Sequence, residues 1–216
     1  MKKWISGIVL IVGIILIIVA GVMYNESTKN IPIRQLTVTS TGVHNGVWDA
    51  QYGAASKDKI GAMPTVSVPL KWTKGPADTK SYAITLVDND TTSIVGFPWI
   101  HWVTANIPAN VTSLAANASR DDSSIMVQGV NSYAAGDPLP LPSIKGFRVP
   151  RQDAEFYGGM VPVNFAHTYT LTVYALNTKL DLKPGYTYGQ LMGAMQGHIV
   201  GQGQLLAKYN AAITKA

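Results

Sequence analysis

No cysteine occurs in the 216 residues. That absence excludes a disulfide scaffold, thiol catalysis and cysteine-ligated zinc, and it leaves the redox compartment open. Charge is sparse too: 13% of residues are Asp, Glu, Lys or Arg, and setting Lys2 and Lys3 aside leaves 15 basic against 12 acidic side chains. So small and dispersed an excess makes no nucleic-acid footprint, and no nucleic acid is expected as a partner. The sequence has no G-x-S-x-G elbow, no H-E-x-x-H zinc helix, no P-loop lysine motif and no strand-linked G-x-G-x-x-G. Its four histidines form no local pair, so neither a metal nor any other cofactor is expected. Internal repeats and low-complexity tracts are also missing. What is present is a 47% apolar composition, enough for one domain whose stability comes from packing.

Part of that apolar content is one long run. Lys2 and Lys3 precede an uncharged stretch from Trp4 to Tyr24, and the polar residues Asn25 to Asn30 follow it. As a helix the run would be roughly 30 Å long at about 1.5 Å per residue, the thickness of a bilayer's hydrocarbon core. Cleaved signal peptides have a shorter apolar stretch of about 7–15 residues before a small-residue site, and Ala20-Gly21-Val22 matches such a site poorly. Residues 1–30 are therefore expected to be a membrane anchor with its linker, spanning through residues 4–24. The paired lysines place that end in the cytoplasm and the domain of residues 31–216 outside the cell membrane. Secretion after signal cleavage is the alternative.

Beyond the linker the periodicity changes to alternation, which predicts a mostly β domain. Tyr82, Ile84 and Leu86 share one strand face, and Asp88 is the next residue on it. A second strand is expected from Ile100 to Ile107, stopped by Pro108, and a third from Tyr169 to Leu176, with His167 on the face of Tyr169, Leu171 and Val173. Val66–Trp72 and Gln35–Ser40 are weaker strand candidates. Residues 133–156, with four prolines nearby, read as a long surface loop. Thr187-Tyr188-Gly189-Gln190 has capping-box spacing, and Leu191, Met192, Met195 and Ile199 follow at helical intervals. One C-terminal helix is expected.

The residues with chemistry to offer are Asp88 and Asp90 at a strand end, His101, the Tyr157–Pro162 segment and His167. Each has a plain reading of its own. An Asp after a strand usually closes a turn on the backbone, which is the reading adopted for Asp90. A lone histidine on an apolar face is more often a satisfied core residue than a ligand, and paired glycines more often mark a tight turn. His44 and His198 are taken as structural or exposed.

In order and context these residues resemble the phosphatidylethanolamine-binding proteins, and within them the bacterial Raf-kinase-inhibitor-like branch. Lys80–Ile84 running into Asp88-Asn89-Asp90 is similar to the family's strand ending in D-P-D-x-P. Trp99-Ile100-His101-Trp102-Val103 with Asn106-Ile107-Pro108 is similar to its W-x-H-W-V-x-x-N-I-P block. Gln128–Asn131, then Tyr157-Gly158-Gly159, then His167-Thr168-Tyr169 to Leu176 continue the series. The resemblance implies an antiparallel β-sandwich of two sheets with a small pocket for an anion such as phosphate or a phospholipid headgroup. By motif position it implies a lining of Asp88, His101, Gly159, Pro162, His167 and Tyr169. The chain departs from the family where Asn89 and Thr92 replace prolines, where G-P-x-P-P becomes Gly159-Met160-Val161-Pro162-Val163, and where H-R-Y becomes His167-Thr168-Tyr169.

The leading functional expectation is a non-enzymatic binding module, tethered at the membrane or secreted, that recognises a small anion or phospholipid headgroup. Two imidazoles beside a carboxylate suit an anion, and the N–H groups of Gly158 and Gly159 are candidates to assist. Binding is then expected to strengthen as pH falls through roughly 6.5. One alternative is a hydrolase with His101 or His167 as general base and Asp88 orienting it. Another is an interaction or inhibitor module acting through residues 133–156.

Overall fold

A computed structural model describes residues 33–135 and 146–210. The expected anchor at residues 4–24 and the centre of the 133–156 loop lie outside the described residues. Among the described residues no helix is long and apolar enough to cross a membrane.

The domain is mostly β. In its first half, short strands β1 (Arg34–Gln35), β2 (Val38–Thr39), β3 (Val43–His44), β4 (Val47–Trp48), β5 (Lys59–Ile60), β6 (Met63–Pro64) and β7 (Leu70–Trp72) lead into the long β8 (Ser81–Asp88). Then come helix α1 (Thr92–Val95), the long β9 (Trp99–Pro108), β10 (Ser113–Leu114), helix α2 (Ala118–Asp121) and β11 (Val127–Gln128). Two further long strands, β12 (His167–Leu176) and β13 (Ile199–Tyr209), flank the capped helix α3 (Tyr188–Met195).

The main sheet runs β11-β9-β8-β12-β13-β4-β3, with β1 also on β13. Its four long strands each run antiparallel to the next, but β1 and β4 join β13 in parallel, so the sheet is mixed. A second sheet has the order β10-β7-β2. One cluster of buried side chains joins the two: Val38, Leu70, Trp72 and Leu114 from the small sheet meet Tyr82, Ile84, Leu86, Trp102, Leu171 and Val173 from the large one. On the opposite face, Ala83, Val103, Ala105, Tyr174 and Leu176 pack with Leu191 and Met195 of α3. Burial on both faces explains why β8 is buried at seven of its eight positions and does not alternate in exposure.

The sequence reading misplaces the end of the chain. The capping box forms, with Gln190 N–H on Thr187 Oγ1 and Thr187 N–H on Gln190 Oε1. The helix nonetheless stops at Met195, Gly197 takes a left-handed φ of 78°, and Ile199 opens a strand of eleven residues. Among the described residues the helix is thus the penultimate element, and a central strand follows it. That strand was hidden because Gly201 and Gly203 interrupt its apolar pattern. These glycines admit β1: a Cβ at 203 would collide with the carbonyl of Leu36, and one at 201 would stand 3.3 Å from Arg34 O. The two weak candidates also shorten. Only Leu70–Trp72 of the first is strand, and the second breaks into β1 and β2 around the buried Leu36.

Gly203→Ala should therefore destabilise the domain, since the colliding atoms are backbone and cannot rotate away. A loss of about 1–3 kcal/mol is expected from overpacking, read as a lower denaturant midpoint at unchanged slope.

Candidate functional site

The pairing register assembles the site. Asp88, the last residue of β8, lies opposite Trp99 of β9 on one side and Tyr169 of β12 on the other. His101 is two residues along β9 from Trp99, and His167 is two residues before Tyr169. Period-two alternation therefore puts each histidine on the face of the residue beside Asp88. Residues far apart in sequence meet because three adjacent strands end together.

Asp88 is 1% exposed and its carboxylate is filled with donors. Oδ1 accepts the N–H groups of Asp90 and Thr91 at 2.9 and 3.3 Å, the turn chemistry expected after a strand. Oδ2 lies 2.7 Å from His167 Nδ1. The far nitrogen of that ring, Nε2, is 2.7 Å from Asn164 Oδ1. Asp90 is more than a turn residue, because its Oδ2 accepts the Thr168 N–H at 2.8 Å and ties the start of β12 to the end of β8.

His101 is 2% exposed. Its Nδ1 is 2.7 Å from the Gly158 carbonyl, while Gly158 N–H donates back to the His101 carbonyl at 2.8 Å. Burial pushes the imidazole below the usual histidine value, against the opposing pull of Asp88 and of the Gly158 and Gly159 backbone. The ring is thus neutral at pH 7, with its proton on Nδ1 and a lone pair on Nε2, which has no hydrogen-bond partner among the described residues. Tyr133 and Tyr169 stand edge-on to this ring at 6.0 and 5.2 Å between centroids. Tyr133 Oη donates to Gly159 O at 2.6 Å. Burial, and after it the Asp88 charge, raises the Tyr169 phenol well above its ordinary range. That hydroxyl meets no partner in hydrogen-bond geometry.

These groups border a cavity of about 150 Å³. Asp88, His101 and His167 supply polar wall, and Ile94, Val95, Phe147, Val161 and Val163 supply much of the apolar remainder. Of the other expected lining residues, Tyr169 backs His101, Gly159 packs on Pro64 with its N–H on the Pro64 carbonyl, and Pro162 is buried beside the wall. The N–H groups of Gly158 and Gly159 are both committed to protein carbonyls, so they are not free to assist an anion as the sequence reading had it. Met160, where the family has proline, is wholly buried in the main core and leaves the cavity wall to Val161 and Val163. Sequence reasoning missed Tyr133, Thr91 and Asn164. None lies in a regular strand, and Thr91 acts mainly through its hydroxyl, which accepts the Trp99 N–H at 2.9 Å and donates to Asp88 O at 2.8 Å. Among the described residues no group of three or more Asp, Glu or His side chains could hold a metal ion.

Residues 38–210 match the phosphatidylethanolamine-binding protein family. The chain belongs to that family. Its bacterial and archaeal relatives include the uncharacterized protein YxkA of Bacillus subtilis, 38% identical over 69% of this chain and 84% of that one. A UPF0098 protein of Methanothermobacter thermautotrophicus is 34% identical over 67% of this chain and 82% of that one. Among solved structures, a putative phosphatidylethanolamine-binding protein homolog from Chlamydia trachomatis superposes with a TM-score of 0.63 at 26% identity, covering 82% of this chain and 98% of that one. Family membership bears out the resemblance read from the ordered sequence blocks.

The lowered His101 value fixes a pH signature for the fold. The folded state resists protonating this ring, whereas the unfolded chain protonates it near the ordinary value of about 6.5. Its contribution to stability is complete above that pH and is lost as pH falls from there through the lowered folded value. Wild type should lose more stability than His101→Gln between pH 7.5 and pH 5, as measured by denaturant midpoints.

Proposed function

We propose that the domain is a binding module for a small oxyanion carried on a partly apolar molecule, a phosphorylated or phospholipid headgroup being the family's own example. The observation that carries this reading is that His101, whose Nε2 meets no partner in hydrogen-bond geometry among the described residues, lines a half-open, largely apolar cavity. Asp88 does not oppose an anion strongly there, because two backbone N–H groups and His167 Nδ1 already face its oxygens. Cavities that enclose drug-sized ligands are roughly 300–1,000 Å³. At about 150 Å³ this one suits a headgroup only, and the rest of the ligand would lie along Ile94, Val163 and Phe165, which are 39%, 59% and 53% exposed. The two-sheet sandwich and the membrane tether through residues 4–24 belong to this reading as proposals, the second resting on the uncharged run from Trp4 to Tyr24. A hydrolase is less well supported, since both hydroxyls on the wall are engaged: Thr91 uses its oxygen as donor and acceptor, and Tyr133 donates to the Gly159 carbonyl.

An anion gains most from His101 when the ring takes up a proton, and burial opposes that step until the ligand's charge offsets it. Binding should therefore tighten with falling pH, below rather than at the ordinary histidine value of about 6.5. Sulfate is the clean probe because its own charge stays constant over this range. For the full-length chain, titration calorimetry should show affinity rising by up to about tenfold per pH unit below pH 6.5, the limit for uptake of one proton. His101→Ala should abolish the slope. Binding that is absent, or that ignores both pH and this substitution, removes the reading.

A further inference from the structure

His167 is the second imidazole on the cavity wall, yet neither of its nitrogens is free. Nδ1 faces Asp88 Oδ2 and Nε2 faces Asn164 Oδ1, each at 2.7 Å. The Phe165 N–H donates to that same Asn164 oxygen at 2.8 Å, which identifies the atom as the acceptor of the amide rather than its nitrogen. Both ring nitrogens therefore meet oxygen atoms. At Nε2 that oxygen comes from the neighbouring loop of the chain itself.

Asn164 is placed to yield that position. It lies outside the strands, between β12 and the buried Pro162, and Val163, Asn164 and Phe165 are all exposed in an otherwise closely packed region. The Phe165 ring sits 4.9 Å from the His167 ring at a tilt of 59°, so the same short segment covers the imidazole with one polar and one aromatic contact. The His167 ring itself is wholly buried and held from behind by Asp88. The fixed partner is the histidine and the movable one is the amide.

We infer that Asn164 is a built-in competitor: its side-chain oxygen occupies the place on His167 Nε2 that an anion oxygen of the ligand would take, and ligand entry displaces it. This rests on the anion-binding reading and adds its regulation. With Asn164 in place a ligand meets one open imidazole, that of His101. With Asn164 displaced it meets two. The affinity of the site is then set by residues 163–165 as well as by the histidines, and a ligand or partner that draws Phe165 off the ring would raise it. A purely structural hydrogen bond at Asn164 would behave in the opposite way, since its loss could only leave affinity unchanged or lower it.

The test is sulfate titration of the full-length chain as wild type, Asn164→Ala and Asn164→Asp, at a pH where wild type binds. Asn164→Ala should bind roughly tenfold more tightly, the factor that removal of one competing hydrogen bond to a charged or polar donor would give. Asn164→Asp places a carboxylate on the same nitrogen and should bind more weakly than wild type. Equal or weaker binding by Asn164→Ala overturns the competitor role while leaving the anion site standing. Absence of binding in wild type and Asn164→Ala alike, down to pH 5, overturns both.

Discussion

The site turns on a carboxylate that has been taken out of water. Desolvating an ionised Asp costs several kcal/mol unless its oxygens are met by donors, and Asp88 at 1% exposure satisfies that demand in three directions. Two of its donors, the N–H groups of Asp90 and Thr91, bend the chain out of β8 and set Thr91 where it can bind the first residue of β9. The third is His167 at the first residue of β12. One buried carboxylate thus fixes where three neighbouring strands begin and end. The register then carries His101 and Tyr169 into place, so this part of the cavity wall is a consequence of how the sheet edge is closed rather than an addition to it.

Three of the four long strands were legible because their ends coincide with chemistry that the sequence shows: a strand run into Asp88, a tryptophan leading His101, a histidine two residues before Tyr169. What the sequence could not show was how each polar group is used. Gly158 and Gly159 offer two N–H groups in any linear reading, and only the fold reveals that His101 O and Pro64 O consume them. Asn164 carries no periodic signal at all. Its role exists only because the segment before β12 passes over His167. Gln128 and Asn131, part of the family pattern, prove to be internal ties: Gln128 bonds Trp102 and Ser119, and Asn131 bonds Phe156 and Tyr133. Order along the chain marked them, but their partners lie as far as 68 residues away, at Met63.

The departures from the family's proline-rich loop also acquire a physical sense. Proline would hold φ near about −65° and stiffen the rim. With Met160 drawn into the core and Val161 and Val163 left at the wall, the rim keeps its apolar character and gives up that stiffness. Aliphatic side chains and imidazoles thus share the wall of one cavity.

The pairing of β1 with β13 has a mechanical side. The first strand of the domain is two residues long, and it lies parallel to the last strand, which is the neighbour of β12 near the middle of the main sheet. A pull applied at Ile33 would pass through the few bonds between Arg34–Leu36 and Gly201–Gln202 before it reached any long strand. Those bonds form a fuse. Under tension the N-terminal edge would peel first, uncovering Gly201 and Gly203 while β8, β9 and β12, and with them the cavity, remained joined.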